Sequence, residues 1–179
     1  MYYNFNSDKF IFNERLSDNL NKFYMNNISI CPFCNPEIEK IAFLKSENFL
    51  VIYNHAPILP GHSLVIPIEH TESILDFTPE LRSEMMEISC KGIKMLMKVF
   101  SAKAFDWTIQ EGSEAGQSVL HTHLHLIPRK ENDLPDPGDW YPKLNQLSQS
   151  ERIDSSDRFK LPFSELTRIA DYIKNNGNF

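Results

Sequence analysis

The sequence predicts an α+β fold on three observations. A β-hairpin is written between residues 49 and 67, a long amphipathic helix opens after Thr78, and a late strand carries histidines at every second position. That strand lies in Gly116 to Arg129, GQSVLHTHLHLIPR, and holds His121, His123 and His125. Successive side chains of a strand point to opposite faces, so the three imidazoles share one face at about 7 Å spacing. Thr122, Leu124 and Leu126 then turn toward a core. A helix would splay residues two apart by roughly 200°. Three imidazoles in a row suit a polar sheet face, a metal site, or a nucleophilic histidine whose neighbours orient it and bind phosphate oxygens. The flanks favour the last.

In chain order, residues 1–30 read as an arm, with one helix around Glu14 to Met25 on the spacing of Leu16, Leu20 and Phe23. Cys31-Pro-Phe-Cys34 is a tight turn whose two thiols can grip one metal ion or form a redox pair. A redox pair would normally open a helix within a βαβ unit, and none is visible. Further ligands outside the triad would be sought among His55, His62 and His70, with Cys90 disfavoured by its place inside a helix. Ile41 to Glu47 and Phe49 to Tyr53 are expected strands. The loop Asn54 to His62, with two prolines and a glycine, leads to the returning strand Ser63 to Pro67.

Thr78-Pro79-Glu80 is a helix start: a cap, a proline in the first turn, and an acid at the positive helix end. The helix carries Leu81, Met85, Ile88, Gly92, Leu96 and Phe100 on one stripe, and the Met-rich set Met85, Met86, Met95 and Met97 reads as core. Phe105 to Glu111 is an expected strand, 111–117 a polar loop, and Val119 to Pro128 the histidine strand. Residues 130–160 are dense in Pro, Asp, Ser and Asn and read as a surface excursion carrying Trp140 and Tyr141. Phe163 to Lys174 closes the chain as a helix.

No internal repeat or linker divides the 179 residues, which fit one domain: arm 1–30, core 31–130, excursion 131–160, terminal helix 161–179. Hydrophobic residues at 41 % and charged residues at 23 % are ordinary for a soluble globular protein. The net charge of -6 argues against a general nucleic-acid binder, while leaving room for a small anion in a local pocket. No apolar run approaches the roughly 18 residues of a membrane span. The start MYYNFNSDKFIF lacks the charged, apolar and small-residue series of a secretory signal. Three cysteines make no disulfide framework, so a reducing cytoplasm is expected.

On these residues the chain resembles the histidine-triad (HIT) family. The resemblance is carried by His121-Thr-His123-Leu-His125-Leu-Ile, the preceding Gly116-Gln117-Ser118, and Pro60-Gly61-His62-Ser-Leu-Val-Ile-Pro, and covers residues 31–130. It implies the HIT fold, an antiparallel sheet of about five strands with helices on it, usually paired as a homodimer that binds purine nucleotides. It also implies that His123 attacks an α-phosphorus to form a nucleotidyl-histidine, which water then hydrolyses to a nucleoside monophosphate. A neutral imidazole nitrogen near pH 7 suits that role. His125 would hydrogen-bond the phosphoryl oxygens, His121 would support the arrangement, and His62 resembles the histidine that braces the triad. Gln117 and Ser118 are placed to bind phosphate as charge shifts.

Asn54 and Gln110 resemble nucleotide- and phosphate-contacting residues of the fragile-histidine-triad hydrolases, as does Glu114-Ala115-Gly116-Gln117. Hydrolysis of dinucleoside polyphosphates, such as diadenosine tri- or tetraphosphate, is therefore expected. Hint-like phosphoramidate hydrolysis is the alternative, and a non-catalytic nucleotide-binding module the reading from another class. The Cys-x-x-Cys resembles bacterial members, which implies a structural zinc on Cys31, Cys34, His70 and His121, a closed tetrahedral set. Magnesium or manganese on the substrate phosphates would neutralise charge.

Overall fold

Among the described residues, five strands and two α-helices follow the sheet-and-helix pattern: β1 (Ala42–Lys45), β2 (Phe49–Tyr53), β3 (Ser63–Pro67), α1 (Pro79–Val99), β4 (Ala104–Ile109), β5 (Leu124–Arg129) and α2 (Phe163–Gly177). They are seen in a computed structural model that describes residues 31–133 and 159–177, all within a unit running from Cys31 to Phe179. The expected helix around Glu14 to Met25, and Trp140 and Tyr141, lie outside the described residues.

The strands form one antiparallel sheet in the order β1-β2-β3-β5-β4. FLVIY of β2 and SLVIP of β3 are buried at every position, as continuous apolar runs covered on both faces must be. β2 and β3 pair in a regular ladder from Phe49↔Pro67 to Tyr53↔Ser63. Among the described residues, no helix is long and apolar enough to cross a membrane.

α1 begins where its cap dictates, with Thr78 Oγ1 accepting the Leu81 N–H at 3.3 Å and Pro79 in the first turn. It buries Met85, Ile88, Gly92, Ile93 and Leu96 against the sheet. Gly92 lets the helix lie close, since a Cβ there would sit 3.1 Å from Leu126 Cδ1 and 3.3 Å from Val51 Cγ1. One expectation fails on this helix: Met86 is 49 % exposed, because neighbouring helical positions diverge by about 100° and Met85 already occupies the inward one. α2 buries Leu166, Ala170 and Ile173, and its Gly177 rests against Met95 of α1.

A second correction concerns the histidine strand. The ladder begins at Leu124, not Val119, so His121 and His123 precede it and Gln117 and Ser118 are not strand residues. β3 pairs with β5 from Ser63↔Leu126 to Val65↔Leu124, a register that continued would set Pro67 against Thr122. Proline has no N–H to extend a ladder. The Thr122 N–H instead donates to Thr71 O at 2.6 Å.

Candidate functional site

The three triad rings form a row even though only His125 lies within the strand. The rings of His123 and His125 are 5.1 Å apart, and Phe33 touches both His121 and His123, with ring centroids at 5.6 and 5.5 Å.

Hydrogen bonds assign the tautomers. The Nδ1–H of His123 donates to the backbone carbonyl of His121 at 2.8 Å, which leaves Nε2 with its lone pair. Burial pushes this imidazole below its ordinary pKa, while the carbonyl of His121 and the charge of Glu111 pull upward. A buried, oriented imidazole with its lone pair exposed on Nε2 has the chemistry to act as a nucleophile.

Nδ1 of fully buried His62 accepts from the Ile58 N–H at 3.1 Å, so its proton sits on Nε2. That Nε2–H donates to Nδ1 of His125 at 2.8 Å, and His125 in turn carries its proton on Nε2. One backbone N–H therefore sets two rings in series and makes His125 a donor beside His123.

His121 faces elsewhere. Its Nε2–H donates to the Pro67 carbonyl at 3.0 Å, and its Nδ1 lies 3.5 Å from Cys31 Sγ and 3.6 Å from Cys34 Sγ. His70 Nδ1 is 3.2 Å from Cys34 Sγ, and the donor atoms of all four residues lie within 4.8 Å of one another. A tetrahedral ion with bonds of about 2.3 Å to sulfur and about 2.0 Å to nitrogen requires N···S edges of about 3.6 Å. The set fits, and these residues could hold a metal ion. Burial pushes His121 down to about 4, with its lone pair facing the thiols. Burial and the adjacent Cys31 push the Cys34 thiol up to about 12 in the absence of a cation.

Phe33 also borders a cavity of about 240 Å³, whose lining includes Ile38, Tyr53, His55, Val119 and Phe163. It is mostly apolar and smaller than the roughly 300–1,000 Å³ of drug-sized pockets, so it has room for one ring system.

The remaining expected site residues stand as follows. Asn54 is buried, its Oδ1 accepting the Ala56 N–H at 2.9 Å and its Nδ2 3.2 Å from His62 Nε2. Gln110 Nε2 donates to Ala115 O at 2.8 Å, within the loop that turns at Gly112 and Gly116. Gln117 spends both ends of its amide on that loop and its neighbour, accepting from Gly112 N at 2.7 Å and donating to Glu72 O at 3.1 Å. Ser118 is exposed. Sequence reasoning missed Phe33, the backbone groups of Ile58 and Pro67, and the cavity. Phe33 alone had a local sign, since it sits between the two cysteines.

Comparison with known proteins places these features in company. The HIT domain, as a family profile, matches residues 35–132, more than half of the chain. A Schizosaccharomyces pombe protein named bis(5'-nucleosyl)-tetraphosphatase (asymmetrical) is 38 % identical over 104 residues, covering 58 % of this chain and 57 % of that relative. This chain thus spans little more than half of that protein. A bis(5'-adenosyl)-triphosphatase of Dictyostelium discoideum is 29 % identical over 133 residues, covering 74 % of this chain and 87 % of the relative. A zinc-bound histidine triad family protein of Mycobacterium smegmatis superposes with a TM-score of 0.54 at 26 % identity, covering 75 % of this chain and 84 % of that one.

Proposed function

The chain belongs to the HIT domain family, and from that premise we propose that it hydrolyses dinucleoside polyphosphates through a nucleotidyl-histidine on His123. The observation that carries this reading is the bond from His123 Nδ1–H to the His121 carbonyl at 2.8 Å, beside a His125 oriented by His62. Nε2 of His123 attacks the α-phosphorus and forms an N–P bond. The bond from phosphorus to the bridging oxygen breaks, and the polyphosphate leaves as an anion. The positive charge that appears on the nucleotidylated ring is held by the His121 carbonyl at Nδ1. The Nε2–H of His125 donates to a phosphoryl oxygen as its charge grows. Water then cleaves the N–P bond and releases a nucleoside monophosphate. The names of the relatives, a tetraphosphatase and a triphosphatase, support this substrate class.

The apolar cavity would take the nucleobase, and with room for one ring system it would leave the second nucleoside outside. Cys31, Cys34, His70 and His121 would hold zinc, a reading supported by their spacing and by the zinc-bound relative. Two thiolates and two imidazoles would close the ion to water and give it a structural part.

The test is product analysis. Purified protein is incubated with diadenosine tri- and tetraphosphate and an adenosine phosphoramidate, with His123→Ala in parallel. AMP from the polyphosphates, absent in the variant, is expected. AMP chiefly from the phosphoramidate would move the substrate to the other branch. No product from any of them, with AMP still bound, would overturn the enzymatic reading for these substrates.

A further inference from the structure

Cys31 and Cys34 enclose Phe33, and that ring meets the candidate metal set, the nucleophile and the cavity at once. It is 8 % exposed, stands edge-on to His121 at 5.6 Å, tilts against His123 at 5.5 Å, and lines the cavity. Pro32, Asn35, Glu37 and Ile38 line the cavity from the same short stretch.

This wall is held by side-chain packing, with Phe33 and Ile41 in the main core, and not by a strand ladder. Residues 32–34 and 36–41 form two 3-10 helices outside the sheet ladder. Their turn bonds include Cys34 N–H to Cys31 O at 3.2 Å and Ile38 N–H to Asn35 O at 2.9 Å. Such turns have poor hydrogen-bond geometry and do not stiffen a chain by themselves. The firm anchor across the gap is His121, fully buried and tied to the Pro67 carbonyl. His121 therefore serves two neighbours: its ring faces the thiols, while its backbone carbonyl holds the His123 proton.

We propose that Phe33 is a positioning residue and that Cys31, Cys34, His70 and His121, closed around a metal ion, form a clasp that seats it against His123 and shapes the nucleoside cavity. Metal binding and nucleotide binding are then coupled. This rests on the nucleotide reading above. Coupling of binding free energies is reciprocal, so the factor by which metal tightens nucleotide must equal the factor by which nucleotide tightens metal. Two independent modules would give a factor of one.

The experiment uses zinc and AMP as probes on the full chain. AMP affinity is measured by calorimetry with and without zinc, and zinc affinity by competition with a chelating dye with and without AMP. Both factors are expected at about tenfold and equal within error. Phe33→Leu keeps all four metal donors, so its zinc affinity without AMP is expected to stay within about twofold while the coupling falls toward one. Full coupling in Phe33→Leu, or AMP binding equally tight without zinc, would overturn the clasp. So would loss of the helical signal on chelation, which would make the metal a support of the whole fold. Failure of the zinc-loaded protein to bind AMP would overturn the nucleotide reading itself.

Discussion

Nε2 of His62 lies 2.8 Å from Nδ1 of His125, although 63 positions separate them in the chain. The contact exists because β3 and β5 pair, and it makes the protonation pattern of His125 depend on the Ile58 N–H one ring away. Replacing His62 by Leu removes that relay and leaves His125 to choose its tautomer. A fall in kcat of about 100-fold is expected, the size of losing one aligned donor, with KM changed little. Steady-state kinetics check this, and nitrogen NMR of His125 should show mixed tautomers. An unchanged kcat would remove His62 from the reaction.

The pH profile carries a second expectation. Exclusion of water lowers the pKa of His123 from its ordinary 6.5, so the ring stays neutral further into acid than free imidazole does. The acid limb of kcat/KM, which reports the free enzyme, should have its midpoint below 6.5. The stability contribution has a definite sign. As pH falls through 6.5 the unfolded chain takes up the proton first, so stability is full above 6.5 and declines toward the lowered folded value. Metal-loaded protein is the right sample, because two thiolates and a divalent ion add no net charge beside the ring. A midpoint above 6.5 would contradict the assignment.

Gly61 is the point where the hairpin meets the end of β5. Its φ is +90°, and a Cβ there would stand 2.4 Å from Pro128 Cγ and 3.0 Å from Phe100 Cδ2. Neither ring can swing away as a flexible side-chain tip would. Gly61→Ala should destabilise the protein by about 2–4 kcal/mol from left-handed strain and overpacking together. It should also lower kcat, because His62 follows directly. Urea unfolding and kinetics on the same variant decide it.

Arg129 closes β5 with ion pairs to Asp106 at 2.6 Å and Asp133 at 2.9 Å, and Asp133 also accepts the Lys130 N–H. Hydrogen bonds from the guanidinium to these carboxylates hold its pKa well above the usual value. Arg129→Met would leave two partly shielded carboxylates facing each other. Fully buried pairs cost about 3–5 kcal/mol to break, and the 29 % exposure of the Asp106 side chain reduces that. A loss of about 1–3 kcal/mol in urea unfolding is expected, larger at low salt. An unaltered midpoint would show that solvent already screens the pair.

Much of this architecture could be read from local pattern. The cap Thr78-Pro79, the apolar runs of β2 and β3, and the terminal helix each carry their cause within a few neighbouring residues. The metal-competent quartet was legible through the resemblance, because its four residues have recognisable types and spacing. The point at which β5 begins was not, since alternation of side chains continues through His121 whether or not a partner strand lies alongside. The register with β3, the missing N–H of Pro67 and the end of β4 at Ile109 decide it. The cavity was hidden for a related reason. Its walls come from the turn at Phe33, the strand end at Tyr53 and the helix start at Phe163, which share no periodicity.

β3 has a further consequence. Its five residues join His62, which precedes the strand and braces His125, to Pro67, whose carbonyl ends the strand and holds His121. The strand is thus a spacer of about 16 Å at 3.3 Å per residue. Adding or deleting one residue within it would reverse every side chain beyond the change and unseat one of the two histidines. Length variation among working versions of this chain should therefore be absent from β3 and from the short run beyond it that carries His70 and Thr71.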